Sequence, residues 1–271
     1  MIDLHLHTDA SDGVLSPSAL VARAAGAGIT VLSVTDHDTV AGLAEARAAA
    51  DTRGVRLVNG IEITAVEGAR DVHMLGYFFD PRSGVLGEFL SRQRTDRIRR
   101  VEEMAARLAA LGAPIDVTAL VASAIRGRSI GRPQLADALV AAGHAVSRDD
   151  AFDRLLGDRC PAYVARRGAT PVEVIALVRQ AGGIASLAHP GLLNDDALIP
   201  RLAAAGLAAI EVRHSDHDSA TERRYRELAA EHGLAVSGGS DFHGDGVHRN
   251  TTIGAISLPA DDFAQLEARA R

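Results

Sequence analysis

Short apolar runs alternate with helical stretches along most of the 271-residue sequence. Residues 17–27 are expected to form a helix that Ser16 caps and Pro17 opens, followed by a buried strand over 29–34. Such alternation places parallel strands side by side, with the helices outside the sheet. It predicts an α/β fold with a mostly parallel sheet, and a chain of this length commonly forms one barrel domain.

Seven strands are expected in all. The first lies at the start of the sequence, and the others are expected at 29–34, 55–62, 71–79, 184–188, 209–213 and 234–238. Between the fourth and fifth strands the alternation stops, and only helical patterns are found. We therefore predict a barrel made of residues 1–85 and 164–271. Residues 86–163 are expected to form a helical insertion that covers the substrate site.

Polar side chains cluster at or near the strand ends. In the first strand, Ile2, Leu4 and Leu6 alternate with polar residues, so His5 and His7 should point to the same side. The further candidates near strand ends are Asp12, Asp36, His37, Asp38, Glu62, His73, His189, His214, His217, Asp241 and His243. Because the carboxyl ends of barrel strands share one face, these groups are expected to meet there.

A single histidine after a strand is usually a hydrogen-bonded loop or core residue. Burying so many ionisable groups together is costly unless cations compensate for their charge. Neutral imidazoles and carboxylates suit Zn²⁺, Mn²⁺ or Fe²⁺, whereas copper and iron–sulfur sites favour sulfur ligands. The set therefore predicts a multinuclear metal site.

Composition excludes several other classes of function. The formal net charge of −6 argues against general binding to duplex nucleic acid, and the 3% aromatic content leaves few stacking platforms. The absence of lysine excludes Schiff-base chemistry, a phosphate-binding P-loop and a carbamylated-lysine metal bridge. One cysteine, Cys160, and no long apolar run indicate a cytoplasmic protein that does not enter membranes.

Taken together, these motifs resemble the PHP (polymerase and histidinol phosphatase) family. The matching segments include His5-x-His7, 9–13 with Asp12, 35–38, 59–62 and 239–243. More narrowly, the sequence is similar to stand-alone bacterial PHP phosphoesterases, which include nucleoside 3′,5′-bisphosphate phosphatases and 5′-to-3′ exoribonucleases. The resemblance implies a distorted seven-stranded (βα) barrel.

The resemblance also implies two to three divalent ions (Mn, Zn or Fe), held in three groups of ligands. The first group would be His5, His7, Glu62 and Asp241. Glu62 would bridge to the second group, which His73 and His189 complete. The third group would be Asp12, His37 and His243.

Three divalent ions would outweigh the ligand carboxylates Asp12, Glu62 and Asp241, and the resulting positive pocket suits a phosphate dianion. Two neighbouring ions can generate a bridging hydroxide and stabilise the attacking and leaving oxygens. We therefore expect direct attack by metal-bridging hydroxide, with Asp241 essential to catalysis.

His217 and Arg132 are two further candidates. His217 could bind substrate and protonate the leaving oxygen, or it could be an ordinary loop histidine; the sequence leaves the two about even. Arg132 lies before Pro133 at a helix start, where it could bind a substrate phosphate or remain an exposed surface arginine. Its segment resembles the Gly-Arg-Pro-His of related enzymes, with Gln134 in place of the histidine.

Two further interpretations concern residues outside the proposed ligand groups. Asp36 and Asp38 are expected to orient imidazoles rather than bind ions. The arginines at the start of the insertion alternate with acidic residues, which favours a solvated helix face over an RNA-binding stripe. These arginines are Arg92, Arg94, Arg97, Arg99 and Arg100.

The predicted function is hydrolysis of a terminal phosphate monoester of a small nucleotide, such as a nucleoside 3′,5′-bisphosphate or a nucleoside monophosphate. Within the enzyme class, the alternatives are a 5′-to-3′ exoribonuclease on short RNAs and a histidinol-phosphate phosphatase. From another class, the chain could be a non-catalytic metal-binding partner of a polymerase. An amidohydrolase is disfavoured by the missing lysine and by the additional group of Asp12, His37 and His243.

Overall fold

The computed structural model describes residues 1–245 and 251–270. Seven strands form one sheet in the order β1-β2-β3-β4-β5-β6-β7. They are β1 (Ile2–Leu6), β2 (Val31–Val34), β3 (Arg56–Glu67), β4 (Arg70–Tyr77), β5 (Ile184–Leu187), β6 (Ala209–Arg213) and β7 (Ala235–Gly238). A parallel bridge between Leu6 and Phe242 links the first strand to the segment after the last. The sheet is therefore a nearly closed barrel, and the predicted fold class is confirmed.

The sheet is mostly parallel, but β4 is antiparallel to both of its neighbours. β3 and β4 form a hairpin whose turn contains Gly68 at a φ of +62°, a conformation that favours glycine. In this hairpin His73 pairs with Thr64, two residues beyond Glu62. His73 lies near the beginning of β4, and the reversed direction brings it to the edge where the parallel strands end.

Eleven α-helices are present in the described residues. They are α1 (Pro17–Gly26), α2 (Leu43–Arg53), α3 (Gly84–Ala110), α4 (Thr118–Ile125), α5 (Arg132–Ala141), α6 (Arg148–Ala151), α7 (Pro171–Gln180), α8 (Pro190–Leu193), α9 (Leu198–Ala204), α10 (Ser219–Glu231) and α11 (Ala260–Ala268). A single π-helical turn, Phe152–Leu156, follows α6. None of these helices is long and apolar enough to cross a membrane.

Local capping explains where several helices begin. The Ser16 side chain accepts a hydrogen bond from the Ala19 N–H, and Pro17 occupies the first position of α1, as predicted. Thr170 and Glu173 form a reciprocal capping box at the start of α7. The sequence did not predict α8, because four residues are too few to show helical periodicity.

The chain divides into two compact units. The first contains Met1–Phe89 together with the chain from Ala169 onward, and it holds the barrel. Its core includes fully buried Leu4, Ile61 and Met74 from three strands.

The second unit is Leu90–Gly168, and every residue of this stretch is described. It contains the rest of α3 with α4, α5 and α6, and no strand. Its own apolar core includes Val101, Met104 and Leu135.

The interpretation of the arginines of α3 as a solvated face is wrong for two of them. Arg97 is only 8% exposed and donates a hydrogen bond to the Ile130 carbonyl. Arg100 is 3% exposed and donates to the Val164 carbonyl. Their guanidinium groups satisfy backbone carbonyls inside the second unit, a use that the mixed charge pattern did not indicate.

Candidate metal centre

Two histidines begin the site: His5 of β1 and His7, which directly follows that strand. Both are fully buried, with ring centroids 5.1 Å apart. Each Nε2 atom lies 3.3 Å from Glu62 Oε2. Asp241 Oδ1 lies 3.3 Å from His5 Nε2 and 3.1 Å from His7 Nε2. The four side chains therefore present ligand atoms within 4.8 Å of one another, a spacing that could hold one metal ion.

Close approach of the chain after β7 to β1 positions Asp241. A Cβ atom at Gly239 would lie 2.3 Å from the backbone nitrogen of His5, so no larger residue fits there without a shift of the chain. Beyond it, the Asp241 N–H donates a 2.9 Å hydrogen bond to the His5 carbonyl. Asp241 itself has a left-handed backbone with φ +53°, which is uncommon outside glycine. This turn holds its carboxylate beside His5 and His7.

Glu62 lies at the centre of the site and is 1% exposed. Its Oε1 atom is 2.8 Å from His73 Nδ1 and 3.2 Å from His189 Nε2. Its Oε2 atom is 3.1 Å from His37 Nδ1 and also faces His5 and His7. The two carboxylate oxygens thus face different sets of imidazoles, as a bridge between two cations would require.

A third group lies around Asp12, in the loop after β1. His243 Nε2 lies 3.3 Å from Asp12 Oδ1, and His37 Nε2 lies 3.7 Å from Asp12 Oδ2. His7 completes the group, with its ring stacked on that of His243 at a centroid distance of 4.0 Å. His7 and His37 thus each face two groups of potential ligands.

The side chains fit divalent cations. Both ring nitrogens of His7, the His37 Nδ1 atom and the Asp12 Oδ1 atom are buried and form no hydrogen bond with the described residues. These atoms instead face one another across short gaps lined by imidazole nitrogens and carboxylate oxygens. Such a donor set matches the preferences of Zn²⁺, Mn²⁺ and Fe²⁺.

The electrostatics of the site are strongly coupled. Burial alone would lower the pKa of His7, but Asp241 and Glu62 outweigh it and raise that pKa to about 10. Burial lowers the pKa of His37 to about 3, against the opposing effect of nearby carboxylates. Burial alone would raise the pKa of Glu62, but the imidazoles of His37 and His73 hold it well below its usual range. Metal ligands must be deprotonated, so bound cations would replace these protons as the partners of the carboxylates.

The nine predicted ligand side chains thus lie together at one end of the barrel, whereas His217 makes different contacts. Its Nδ1 atom donates a 2.8 Å hydrogen bond to the Val212 carbonyl, and its Nε2 atom accepts one from the Gly191 N–H. A Cβ atom at Gly191 would lie 2.7 Å from that nitrogen. Both ring nitrogens are therefore engaged with the backbone, an arrangement typical of a structural histidine.

Arg132 is the first residue of α5 in the second unit, and Pro133 follows it in the first helical turn, as predicted. Its guanidinium forms an ion pair with Asp158, with an N–O distance of 2.6 Å. It also lies over the rings of Phe152 and Tyr163. The predicted contact of Arg132 with a substrate phosphate stays a prediction.

Asp36 and Asp38 organise backbone and hydroxyl groups. The Asp36 carboxylate accepts hydrogen bonds from the Thr8 N–H, the Thr8 hydroxyl and the Ser11 hydroxyl, and so orders the loop that carries Asp12. Asp38 accepts from the Thr64 N–H on β3. Through these hydrogen bonds the two carboxylates position the segments of backbone that surround the site.

Two buried residues outside the predicted ligand groups contact the centre. Glu211 of β6 accepts a 2.9 Å hydrogen bond from His5 Nδ1. His214, whose Nε2 atom lies 3.4 Å from Asp241 Oδ2, follows the same strand. A charged residue inside a short apolar strand was the signal for Glu211, but a sequence does not reveal which partner such a residue has.

Comparisons with known proteins agree with this architecture. A family model described as the PHP domain matches residues 3–110. A 3′,5′-nucleoside bisphosphate phosphatase of Chromobacterium violaceum is 36% identical, over 90% of this chain and 88% of its own length. The 5′-3′ exoribonuclease Rnm of Escherichia coli is 35% identical, over 89% of this chain and 84% of its own.

A solved structure has the same fold over nearly its whole length. It comes from Bifidobacterium adolescentis and is described as a metal-dependent phosphoesterase. It is 36% identical and superposes with a TM-score of 0.89, covering 99% of this chain and 96% of the other. With full-length relatives above 30% identity and the barrel fold in common, the chain belongs to the PHP family and is a metal-dependent phosphoesterase.

Proposed function

We propose that this phosphoesterase removes a terminal phosphate from a small nucleotide, such as a nucleoside 3′,5′-bisphosphate or a nucleoside monophosphate. The observation that carries the proposal is the buried cluster around Glu62, where overlapping groups of imidazole and carboxylate donors lie within ligand distance of one another. A cluster of this kind suits a doubly charged phosphate monoester better than a neutral substrate.

The proposed cofactors are two to three ions of Mn, Zn or Fe. The first would be held by His5, His7, Glu62 and Asp241, the second by Glu62, His73 and His189, and the third by Asp12, His37 and His243. When bound, such ions supply Lewis-acid stabilisation of the phosphoryl charge and activation of water.

The residues of the chain near the centre support direct attack by water rather than a covalent enzyme intermediate. The nearby hydroxyls are held by buried carboxylates: Thr8 donates to Asp36, and Ser240 donates to Asp3. Neither hydroxyl is hydrogen-bonded to a histidine in the way that an activated nucleophile is. Cys160 belongs to the second unit, where its thiol contacts backbone carbonyls.

The nucleotide preference is supported by the phosphatase relative, and hydrolysis of short RNA from its 5′ end is the second candidate because of the exoribonuclease relative. Both reactions need the same cluster around Glu62 and differ in the length of the substrate. Histidinol phosphate is the third candidate. A purely non-catalytic partner of a polymerase disagrees with the membership in an enzyme family.

The test is a substrate panel with the Mn²⁺-loaded protein. The panel contains a nucleoside 3′,5′-bisphosphate, a nucleoside monophosphate, a 5′-phosphorylated RNA pentamer and histidinol phosphate. We expect the highest kcat/KM for one of the two nucleotides, with inorganic phosphate as product. A higher kcat/KM for the RNA, with mononucleotides released in order, would favour the exoribonuclease. The Asp241→Asn variant serves as the control for contaminating phosphatases.

A further inference from the structure

Glu211 is a buried carboxylate that belongs to none of the predicted ligand groups and yet contacts members of two of them. It lies on β6 and is 0% exposed. Its Oε1 atom accepts a 2.9 Å hydrogen bond from His5 Nδ1. Its Oε2 atom accepts a 2.8 Å hydrogen bond from the backbone N–H of His189. One side chain therefore restrains residues on two different strand ends.

The contact with His5 determines which nitrogen of that ring can bind a cation. A carboxylate only accepts hydrogen bonds, so the His5 proton is held on Nδ1. The Nε2 atom is left to face Glu62 Oε2 and Asp241 Oδ1, each at 3.3 Å. Hydrogen bonds of this kind fix both the tautomer and the orientation of metal-binding histidines.

The contact with His189 acts on the backbone. His189 has φ +25° and ψ +60°, a sparsely populated conformation for a residue with a side chain. Such a conformation persists when its surroundings hold it in place, and the hydrogen bond from its N–H to Glu211 is one such restraint. In this conformation the His189 Nε2 atom lies 3.2 Å from Glu62 Oε1.

We propose that Glu211 is a positioning residue that aims His5 and His189 at the cation sites on the two sides of Glu62. The inference rests on the proposed metal centre. In this proposal Glu211 acts through these two histidines and does not itself contact the substrate. Removing its second acceptor oxygen should therefore disturb cation binding at both sides of Glu62.

A different role must be separated from this one. Glu211, His5 and His214 also lie within ligand distance of one another, so they could hold a cation themselves. Against this, Glu211 and His5 already share a hydrogen bond, and His214 Nδ1 accepts one from the Asp216 N–H at 3.1 Å. Glu211, His5 and His214 therefore already have hydrogen-bond partners without a cation.

The test uses the full chain with Glu211→Gln. The amide keeps the volume but has one acceptor oxygen, so it can serve only one of the two donors. The matched control is Asp262→Asn, which removes another buried carboxylate of the barrel unit, one on α11 that pairs with Arg226 of α10. The readouts are Mn²⁺ affinity by calorimetry, the visible absorption of the Co²⁺-loaded protein, and kcat and KM.

We expect Glu211→Gln to fold, to bind Mn²⁺ about 10- to 100-fold more weakly and to change the Co²⁺ spectrum, since outer partners of ligands have effects of this size. In kinetics the loss should fall on kcat, with KM nearly unchanged. Asp262→Asn should match the wild type in metal affinity and spectrum.

Several outcomes would overturn the inference. One is a folded Glu211→Gln protein with wild-type Mn²⁺ affinity and Co²⁺ spectrum. Another is loss of one whole ion with the other affinities unchanged, which would make Glu211 a ligand. If Glu211→Gln does not fold, Glu211→Asp is measured in the same way, and failure of both to fold would assign Glu211 to the fold. These outcomes concern Glu211 alone. If the wild-type protein binds metal and cleaves nucleotides, the proposed function stands in each of these cases.

Discussion

At the scale of single residues, Glu62 explains why so many histidines can be buried together. Both of its oxygens lie within about 3.3 Å of imidazole nitrogens, and each faces a different set of rings. A buried carboxylate without such partners would be strongly destabilising. Glu62 therefore needs positive charge around it, and divalent ions would supply more of that charge than protonated imidazoles.

The first prediction concerns Asp241, which faces both His5 and His7. Asp241→Asn should lower kcat by roughly 100-fold or more, because it weakens the charge that stabilises the transition state. Steady-state kinetics with the preferred nucleotide measure this effect. The control is Asp245→Asn, which removes an exposed carboxylate paired with Arg23 and should leave kcat unchanged. An Asp241→Asn protein with near-normal kcat would remove Asp241 from the site.

The second prediction concerns Arg132. If its guanidinium binds a substrate phosphate, Arg132→Ala should lower kcat/KM by about 10- to 100-fold, equivalent to one or two charge-assisted hydrogen bonds. Metal content should not change. The matched control is Arg148→Ala, another arginine of the second unit that forms an ion pair with an aspartate, here Asp137. Equal kinetics for the two variants would leave Arg132 with its contacts to Asp158, Phe152 and Tyr163 as its only role.

The third prediction concerns His217, whose two ring nitrogens are hydrogen-bonded to backbone groups. His217→Ala should lower the free energy of unfolding by about 1–3 kcal/mol, because buried backbone groups lose their partners. Urea unfolding measures this loss, with His144→Ala in the second unit as the control. We expect kcat to change far less than the roughly 100-fold or greater loss typical of a missing general acid. A loss of that size in a stable His217→Ala protein would restore the role of proton donor.

At the scale of elements, the metal centre depends on where strands end and on how closely they approach. The reversed direction of β4 brings His73 to the common edge, and the chain after β7 packs directly on β1. Three of the residues with left-handed backbones, Asp38, His189 and Asp241, follow strands at this edge. Strained backbone conformations commonly occur at functional sites, where the surrounding structure holds them.

The fourth prediction concerns the contact between the chain after β7 and β1. Gly239→Ala places a Cβ atom 2.3 Å from the backbone nitrogen of His5, so the two segments must separate. We expect a loss of about 1–3 kcal/mol in stability, the usual effect of overpacking, together with weaker metal binding. Thermal unfolding and elemental analysis measure the two effects. Gly26→Ala, where no atom lies within 4 Å of the added carbon, should be neutral or slightly stabilising.

The sequence predicted most elements because their signals are local. Ser16 and Pro17 mark the start of a helix, and the alternation around His5 and His7 marks a strand with two faces. The direction of β4 was not predicted, since an apolar strand pattern is the same in both directions. The local feature that distinguishes a hairpin here is the short turn with Gly68, whose φ is positive in the folded chain.

The candidate site was predictable in its donor set but not in its supporting contacts. Its side chains follow strand ends, and strand ends of a barrel meet at one face. Glu211 was missed because its partners, His5 and the His189 backbone, are distant in sequence and meet only in the folded barrel. The buried Arg97 and Arg100 were missed for a similar reason, as their partners are backbone carbonyls, which have no sequence signature.

At the scale of the whole molecule, the charge of the protein and that of its centre have different consequences. The chain has a formal net charge of −6, whereas the centre would be positive with ions bound. Anionic substrates are therefore expected to be attracted by the bound ions rather than by the surface as a whole. Removing the ions should abolish phosphate binding and catalysis together.

The fifth prediction follows from that dependence, and it tests the central claim most directly. The purified protein is analysed for metal by elemental analysis, and its kcat is measured before chelation, after chelation and after addition of Mn²⁺. We predict two to three divalent ions per chain, loss of activity when they are removed, and recovery of activity with Mn²⁺. Bound ions should also raise the melting temperature, because they stabilise the folded state that binds them. Full activity in a demonstrably metal-free sample would contradict the account.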